Sequence, residues 1–254
     1  MTILLANDLV KLYGDEGEAG ATRALEDVSL SMNKGEFLAI MGPSGSGKTT
    51  LLNLLSGIDK PTSGEVIISG KEISNMSGDE LALFRRRQLG FVFQEFNLLD
   101  SLTVKENIMV PMILEKKSAF YMEEKALEMM NLFGINDIAN KYPYQISGGQ
   151  QQRVAVSRAL VNEPDIILAD EPTGNLDSKS SATILKCFEK IVTEFQTTIL
   201  VVTHDVFAAS YCNKVTFIKD GRIHSHIEKK GTRKEFINQI MDSLAVLGGE
   251  GYDI

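Results

Sequence analysis

The chain is 254 residues long, with 43% hydrophobic and 24% charged residues, a balance that excludes a disordered chain, a collagen-like fibre and a disulfide-stapled miniprotein. Its 26 Lys and Arg stand against 34 Asp and Glu, a formal net charge of −8, which disfavours broad electrostatic attraction to nucleic acid or anionic lipid. Two cysteines, Cys187 and Cys212, lie among apolar helical neighbours and read as small reduced core residues. The N-terminal MTILLANDLVK lacks the basic, apolar and small-residue succession of a secretory signal. No apolar run approaches the ~18 residues that would span a bilayer. These features predict a cytosolic chain whose contact with a membrane runs through a partner.

Apolar runs alternate with helical patterns, which predicts an α/β fold. Residues 37–41, FLAIM, form a continuous apolar run ended by Gly42-Pro43 and read as a buried strand; residues 48–55 read as a helix closing near Gly57. Arg85-Arg86-Arg87 reads as a solvated helix end, and residues 90–93 as a strand ended by Gln94. From about 99 to 145 the pattern turns helical. Thr103-Val104-Lys105-Glu106 is a capping box, and residues 121–133 form a helix closed by Gly134, with Met122, Met129 and Met130 as packing residues. This predicts a helical insert, over about 95–150, within a single unit spanning 1–228. Residues 151–160 are an amphipathic helix; 166–169 and 198–202 are buried strands with a helix at 178–195 between them. Residues 215–219 and 222–227 flank Asp220-Gly221 as a hairpin, and the extension from 229 to 254 carries an amphipathic helix at 233–247.

Three segments carry chemistry. Gly42-Pro43-Ser44-Gly45-Ser46-Gly47-Lys48-Thr49 matches GxxxxGK(S/T) between a buried strand and a helix, the context in which main-chain N–H groups wrap a phosphate. There Lys48 reaches the β- and γ-phosphates and Thr49 offers its hydroxyl to Mg²⁺. Residues 166–169 end in Asp170-Glu171, and strand alternation sends the two carboxylates in different directions. Asp170 suits Mg²⁺, and Glu171 suits deprotonation of an attacking water. Ser147-Gly148-Gly149-Gln150 at a helix start makes a second anion site. Two phosphate sites in one chain serve one nucleotide if two copies meet head to tail. Standing alone, SGGQ would read as a simple N-cap.

With these segments in this order, the chain resembles the ATP-binding subunit of an ABC transporter along essentially its whole length. The resemblance implies a P-loop NTPase fold with a RecA-like core, an antiparallel β subdomain and an inserted helical subdomain. It implies ATP and Mg²⁺ bound at Tyr13, Gly42, Ser44, Gly45, Ser46, Gly47, Lys48, Thr49 and Thr50, with Tyr13 of KLYG stacking on adenine. It implies that Gln94 meets Mg²⁺ and the attacking water and marks the hinge into the helical insert, that His204 contacts the γ-phosphate, and that Asp177 of GNLD lies in the loop crossing the dimer seam. Ser147, Gly148, Gly149 and Gln150 would then close over the partner's nucleotide. Ile146 departs from the Leu common at that position, conservatively in size.

Within the family, GDEGEAGATRAL and EPTGNLDS resemble cassettes serving FtsX-like permeases, a group that includes lipoprotein-release, macrolide-export and cell-division cassettes. NLLDSLTVKENI, NKYPYQISGGQ, THDVFAASYC and the tail ending VLGG are similar to the BceA type, which energises permeases protecting Gram-positive bacteria from bacitracin and related peptide antibiotics. The resemblance implies a homodimer on an FtsX-like permease at the cytoplasmic face of the bacterial membrane, in some systems beside a sensor histidine kinase, and no nucleic-acid partner. Rival readings are a related cassette for lipoprotein release, macrolide export or cell-division signalling, and a soluble ABC ATPase outside transport.

Overall fold

In the computed structural model, which describes residues 1–14 and 20–248, the order of elements is β1 (Thr2–Tyr13), β2 (Thr22–Asn33), β3 (Phe37–Met41), α1 (Lys48–Leu55), β4 (Ser63–Ile68), β5 (Lys71–Glu72), α2 (Gly78–Gln88), β6 (Leu89–Val92), α3 (Val104–Leu114), α4 (Ala119–Phe133), α5 (Gly148–Leu160), β7 (Ile166–Asp170), α6 (Ser178–Phe195), β8 (Thr198–Val202), α7 (Val206–Ala209), β9 (Lys214–Lys219), β10 (Arg222–Glu228) and α8 (Arg233–Gly248). The sequence segment GDEGEAGATRAL falls partly, and the tail after Gly248 wholly, outside the described residues.

Two sheets share the work. One is antiparallel, in the order β2-β1-β4-β5; the other runs β10-β9-β3-β8-β7-β6, parallel from β9 to β6 with β10 antiparallel at its edge. A parallel strand covered on both faces reads as an unbroken apolar run, and its alternating side chains feed two cores. On β3, Phe37, Ala39 and Met41 join one core with α3 to α6 and α8, while Leu38 and Ile40 join another with α1 and the antiparallel sheet. Strands β7 and β8 divide in the same way, Ile167, Ala169, Ile199 and Val201 to the first core, Ile166, Leu168, Leu200 and Val202 to the second.

Helices α3, α4 and α5 follow one another between β6 and β7. The capping box at Thr103 forms with Glu106, and Gly134 closes α4 in the left-handed conformation at φ 60°. Met129 and Met130 are buried and Met122 packs against the same core. Cys212 is buried and Cys187 half-buried, and burial pushes both thiols above their ordinary range.

Three expectations need correction. Strand β6 stops at Val92, where its pairing with Ala169 of the neighbouring strand ends, so Gln94 lies two residues beyond the strand. The arginines do form the last turn of α2, with Arg87 exposed, but they are not merely solvated: Arg85 donates to Gly57 O, Arg86 to Leu114 O and Arg87 to Glu115. Helix α4 begins at Ala119, two residues early, because Ser118 caps it by accepting from the Tyr121 N–H. The C-terminal helix α8 buries Phe236, Ile240 and Leu247 in the first core; Arg233 stacks 3.6 Å over Tyr211 and Lys219 donates to Leu247 O.

Candidate nucleotide site

The loop between β3 and α1 is shaped by its glycines. Gly45 at φ 77° and Gly47 at φ 99° adopt the left-handed region that other residues enter at a cost, and a Cβ on Gly47 would strike Ala24 O of β2. A Cβ at Gly45 would meet nothing, so that stretch of backbone lies open to a ligand. Gly42 is pressed against Ile218 O and Ser46 is buried, which fixes the loop's inner side. Helix α1 has Gly47 at its N-cap with no side-chain cap, whereas Ser77, Thr103, Ser118, Ser147 and Asp177 cap α2 to α6 with their own oxygens. The first N–H groups of α1, from Lys48, Thr49 and Thr50, therefore meet whatever anion occupies the loop.

Lys48 folds back over this loop, its ammonium donating to Gly42 O and Pro43 O at 2.8 Å each. Burial holds its pKa below the ordinary value, against the opposing pull of the Glu171 and Asp170 carboxylates. Asp170 is shifted the other way: burial pushes its carboxyl up, Glu171 adds to the rise, and Lys48 opposes it. A cation and two carboxylates thus share one half-buried space without a direct ion pair. Burial disfavours the charged forms of Lys48 and Asp170, which is the electrostatic state that a phosphate and a divalent cation relieve. Among the described residues no group of three or more His, Cys, Asp and Glu could hold a metal by itself. One carboxylate and a hydroxyl suit Mg²⁺, which keeps waters and takes phosphate oxygens for the rest of its shell. The residues fit ATP with Mg²⁺.

Glu171 has φ 45° and its N–H donates to Val202 O at 2.9 Å. Its carboxylate meets His204 Nδ1 at 2.7 Å, and the imidazole is otherwise 73% exposed at the mouth of the site. Gln94 rests against the turn after Glu171: Nε2 donates to Asn175 Oδ1 at 3.3 Å, and Asn175 Nδ2 donates to Gln94 O at 3.1 Å. Tyr13 ends β1 opposite Thr22 of β2, the strand whose Ala24 touches the phosphate loop. Its hydroxyl donates to Asp59 and the Lys11 ammonium lies 4.9 Å from its ring centroid, leaving the ring half-exposed. An aromatic pinned at its hydroxyl and covered by a cation on one face offers the other face for stacking.

The fold brings Lys48, Asp170, Glu171 and His204 together, with Gln94 one turn away. Ser147, Gly149, Gln150 and Asp177 line a separate depression. There Ser147 caps α5 in a box with Gln150, the N-cap geometry that SGGQ alone suggested, and Asp177 caps α6 and accepts from Ser180 Oγ at 2.6 Å. Gly149 also has a packing reason, since a Cβ there would meet Ser180 Oγ at 2.6 Å. Sequence reasoning missed Asn175, Asp59 and Gln152; the signal for Gln152 was a polar side chain four residues before Val156 on the apolar face of a helix.

A profile of the family described as ABC transporter matches residues 25–174. Over 253 residues the chain is 49% identical to YvcR of Bacillus subtilis, an uncharacterized ABC transporter ATP-binding protein, covering 100% of this chain and 98% of that one. It is 47% identical over 250 residues to the bacitracin export ATP-binding protein BceA of Halalkalibacterium halodurans, covering 98% of each. The fold matches the dimeric, post-hydrolysis structure of the ATP-binding cassette MJ0796 bound to ADP and Pi, with a TM-score of 0.82 and 41% identity over 91% of this chain and 100% of that one. Fold, phosphate loop and identities agree: the chain belongs to the ABC transporter family, as an ATP-binding, ATP-hydrolysing subunit.

Proposed function

We propose that this subunit works as a nucleotide-driven clamp that energises an FtsX-like permease conferring resistance to bacitracin-like peptide antibiotics. In this reading two copies meet head to tail. Each presents Ser147, Gly148, Gly149 and Gln150 to the γ-phosphate held by the other, with Asp177 at the seam. Tyr13 stacks on adenine, and the N–H groups of the loop from Gly42 to Thr50, including those of Ser44, Gly45, Ser46 and Gly47, wrap the phosphates. Thr49, Asp170 and Gln94 would hold Mg²⁺, which supplies charge neutralisation on the phosphate oxygens.

Lys48 leaves its two carbonyls to meet the γ-phosphate. Glu171 takes a proton from the attacking water, while His204 and Lys48 face the charge that builds on the transferring group. The carrying observation is the uncapped start of α1 beside Lys48 and Asp170, each of whose charged forms burial disfavours in the free protein. Loss of the γ-phosphate reopens the seam, and the segment from Glu95 to Leu102, between Gln94 and the helical insert, passes the movement to the permease.

The finer assignment is supported by identity to the bacitracin export protein along the chain. Among the described residues no helix is long and apolar enough to cross a membrane. Attachment at the cytoplasmic face would therefore run through the permease, in some systems beside a sensor histidine kinase. Gentle solubilisation of native membranes and affinity capture of this chain tests the reading, paired with growth of a deletion strain in bacitracin. Recovery of an FtsX-like permease together with bacitracin sensitivity supports it. A lipoprotein-release, macrolide-export or cell-division partner keeps the ATPase and moves its role; recovery with no membrane protein overturns the permease assignment.

A further inference from the structure

Gln152 is fully buried in α5, five residues after Ser147, on the face that carries Val156 and Leu160. A glutamine there is expensive unless both halves of its amide are paired. One half is: Nε2 donates to Pro172 O at 2.6 Å. Oε1, equally buried, has no partner. The packing thus keeps a polar side chain in an apolar position for the sake of one hydrogen bond, and that bond goes to the residue after Glu171.

The backbone at Glu171 explains what the bond can do. Glu171 has a positive φ of 45° directly before a proline, whose ring crowds the preceding residue. Such a conformation persists only where its surroundings over-determine it. Three hydrogen bonds do so: Glu171 N–H to Val202 O at 2.9 Å, Gly174 N–H to Glu171 O at 3.0 Å, and Gln152 Nε2 to Pro172 O. The first two are main-chain bonds. The third is the one that a side chain supplies, from a helix that starts at the SGGQ turn.

The geometry points to Gln152 as a positioning residue for the Glu171 carboxylate, tying the general base of a subunit to the helix whose first turn closes over its partner's nucleotide. This inference rests on the proposed role of Glu171. Replacing the amide with an apolar chain of similar length removes the bond and also the orphaned oxygen. Gln152→Met therefore perturbs the Pro172 carbonyl more than it perturbs packing. The Glu171 carboxylate should drift from its working position, and a shift of about 1 Å costs up to roughly a hundredfold in rate.

The test compares full-length wild type, Gln152→Met, Glu171→Gln and the double variant in ATPase assays. Rates are normalised to the fraction of subunits that bind a fluorescent ATP analogue, which removes any loss through misfolding. A fall in kcat of tenfold or more with KM for ATP within twofold, and a double variant no slower than Glu171→Gln alone, supports the inference. Wild-type kcat per binding-competent subunit in Gln152→Met overturns it while leaving Glu171 in its role. A double variant markedly slower than Glu171→Gln also overturns it, because the effect then bypasses the carboxylate. Unimpaired turnover in Glu171→Gln sinks the reading of Glu171 and the inference with it.

Discussion

His204 Nδ1 lies 2.7 Å from Oε2 and 2.8 Å from Oε1 of Glu171, so the imidazole straddles the carboxylate in the free subunit. Against an ionised carboxylate, which only accepts, Nδ1 is the donor in this contact. The contact holds the carboxylate at the mouth of the site. Glu171→Gln keeps the side chain's shape and removes the carboxylate proposed as the base. Hydrolysis should fall at least about a hundredfold while ATP binding persists and the dimer accumulates. Size-exclusion chromatography with ATP, alongside a phosphate-release assay, checks both halves. Unimpaired turnover would remove Glu171 from the base role.

Among the described residues the Lys48 ammonium is hydrogen-bonded to two main-chain carbonyls and feels Glu171 and Asp170 without a direct ion pair, so its removal strips no carboxylate of a contact partner. Lys48→Ala should fold normally and bind ATP more weakly by about 2 kcal/mol, roughly thirtyfold in Kd, the scale of one charged hydrogen bond. Isothermal titration with ATP measures it. Wild-type affinity would contradict the reading of the phosphate loop.

Asp170 gives a pH dependence with a definite sign. Its carboxyl is raised by burial and by Glu171, so in the folded protein it takes up a proton at higher pH than an ordinary aspartate. Metal binding requires the ionised form, so Mg²⁺ affinity should begin to fall, as pH is lowered, above the usual aspartate range. For stability the sign is reversed. A raised carboxyl disfavours the charged form, so the folded state bears a cost at pH above the folded pKa that is relieved as pH falls through it. Asp170→Asn should therefore raise the melting temperature of the ligand-free protein near neutral pH, by about 2 °C or more, and abolish the Mg²⁺-dependent gain seen with nucleotide. Differential scanning fluorimetry with and without Mg²⁺ and ATP reads both. A lower melting temperature in the ligand-free variant would contradict the assigned burial cost.

The C-terminal helix should be integral to stability rather than an appendage. Phe236 is fully buried in the core shared with β3 and β8, so Phe236→Ala should cost about 3–5 kcal/mol. For a chain of this size that lowers the melting temperature by roughly 6–20 °C. Circular dichroism melts check it. A shift below about 2 °C would show that α8 contributes little to the core.

Local chemistry made several elements legible from sequence. The buried parallel strands at Phe37–Met41 and Thr198–Val202 read directly as apolar runs, and the glycine pattern of the phosphate loop names its own turn. The long N-terminal strands did not announce themselves. In β1 and β2 the alternation is broken by register shifts, with Asp8 and Asp27 at positive φ, so neither period survives along the segment. The partners of Arg85, Arg86 and Arg87 are not legible locally, because the carbonyls and the carboxylate they grip lie 28 positions away.

By itself the sequence determined the phosphate loop, the paired carboxylates at the end of a buried strand and the family, because these depend on residue type at fixed short spacing. Tertiary structure decided which of those groups meet. His204 reaches Glu171 across 33 residues, Gln94 reaches Asn175 across 81, and Gln152 reaches Pro172 across 20. The parallel order of β3, β8, β7 and β6 places their C-terminal ends at one edge of the sheet. Spacing along the chain carries no record of such pairings, since each is fixed by strand order and by which face of a helix packs inward.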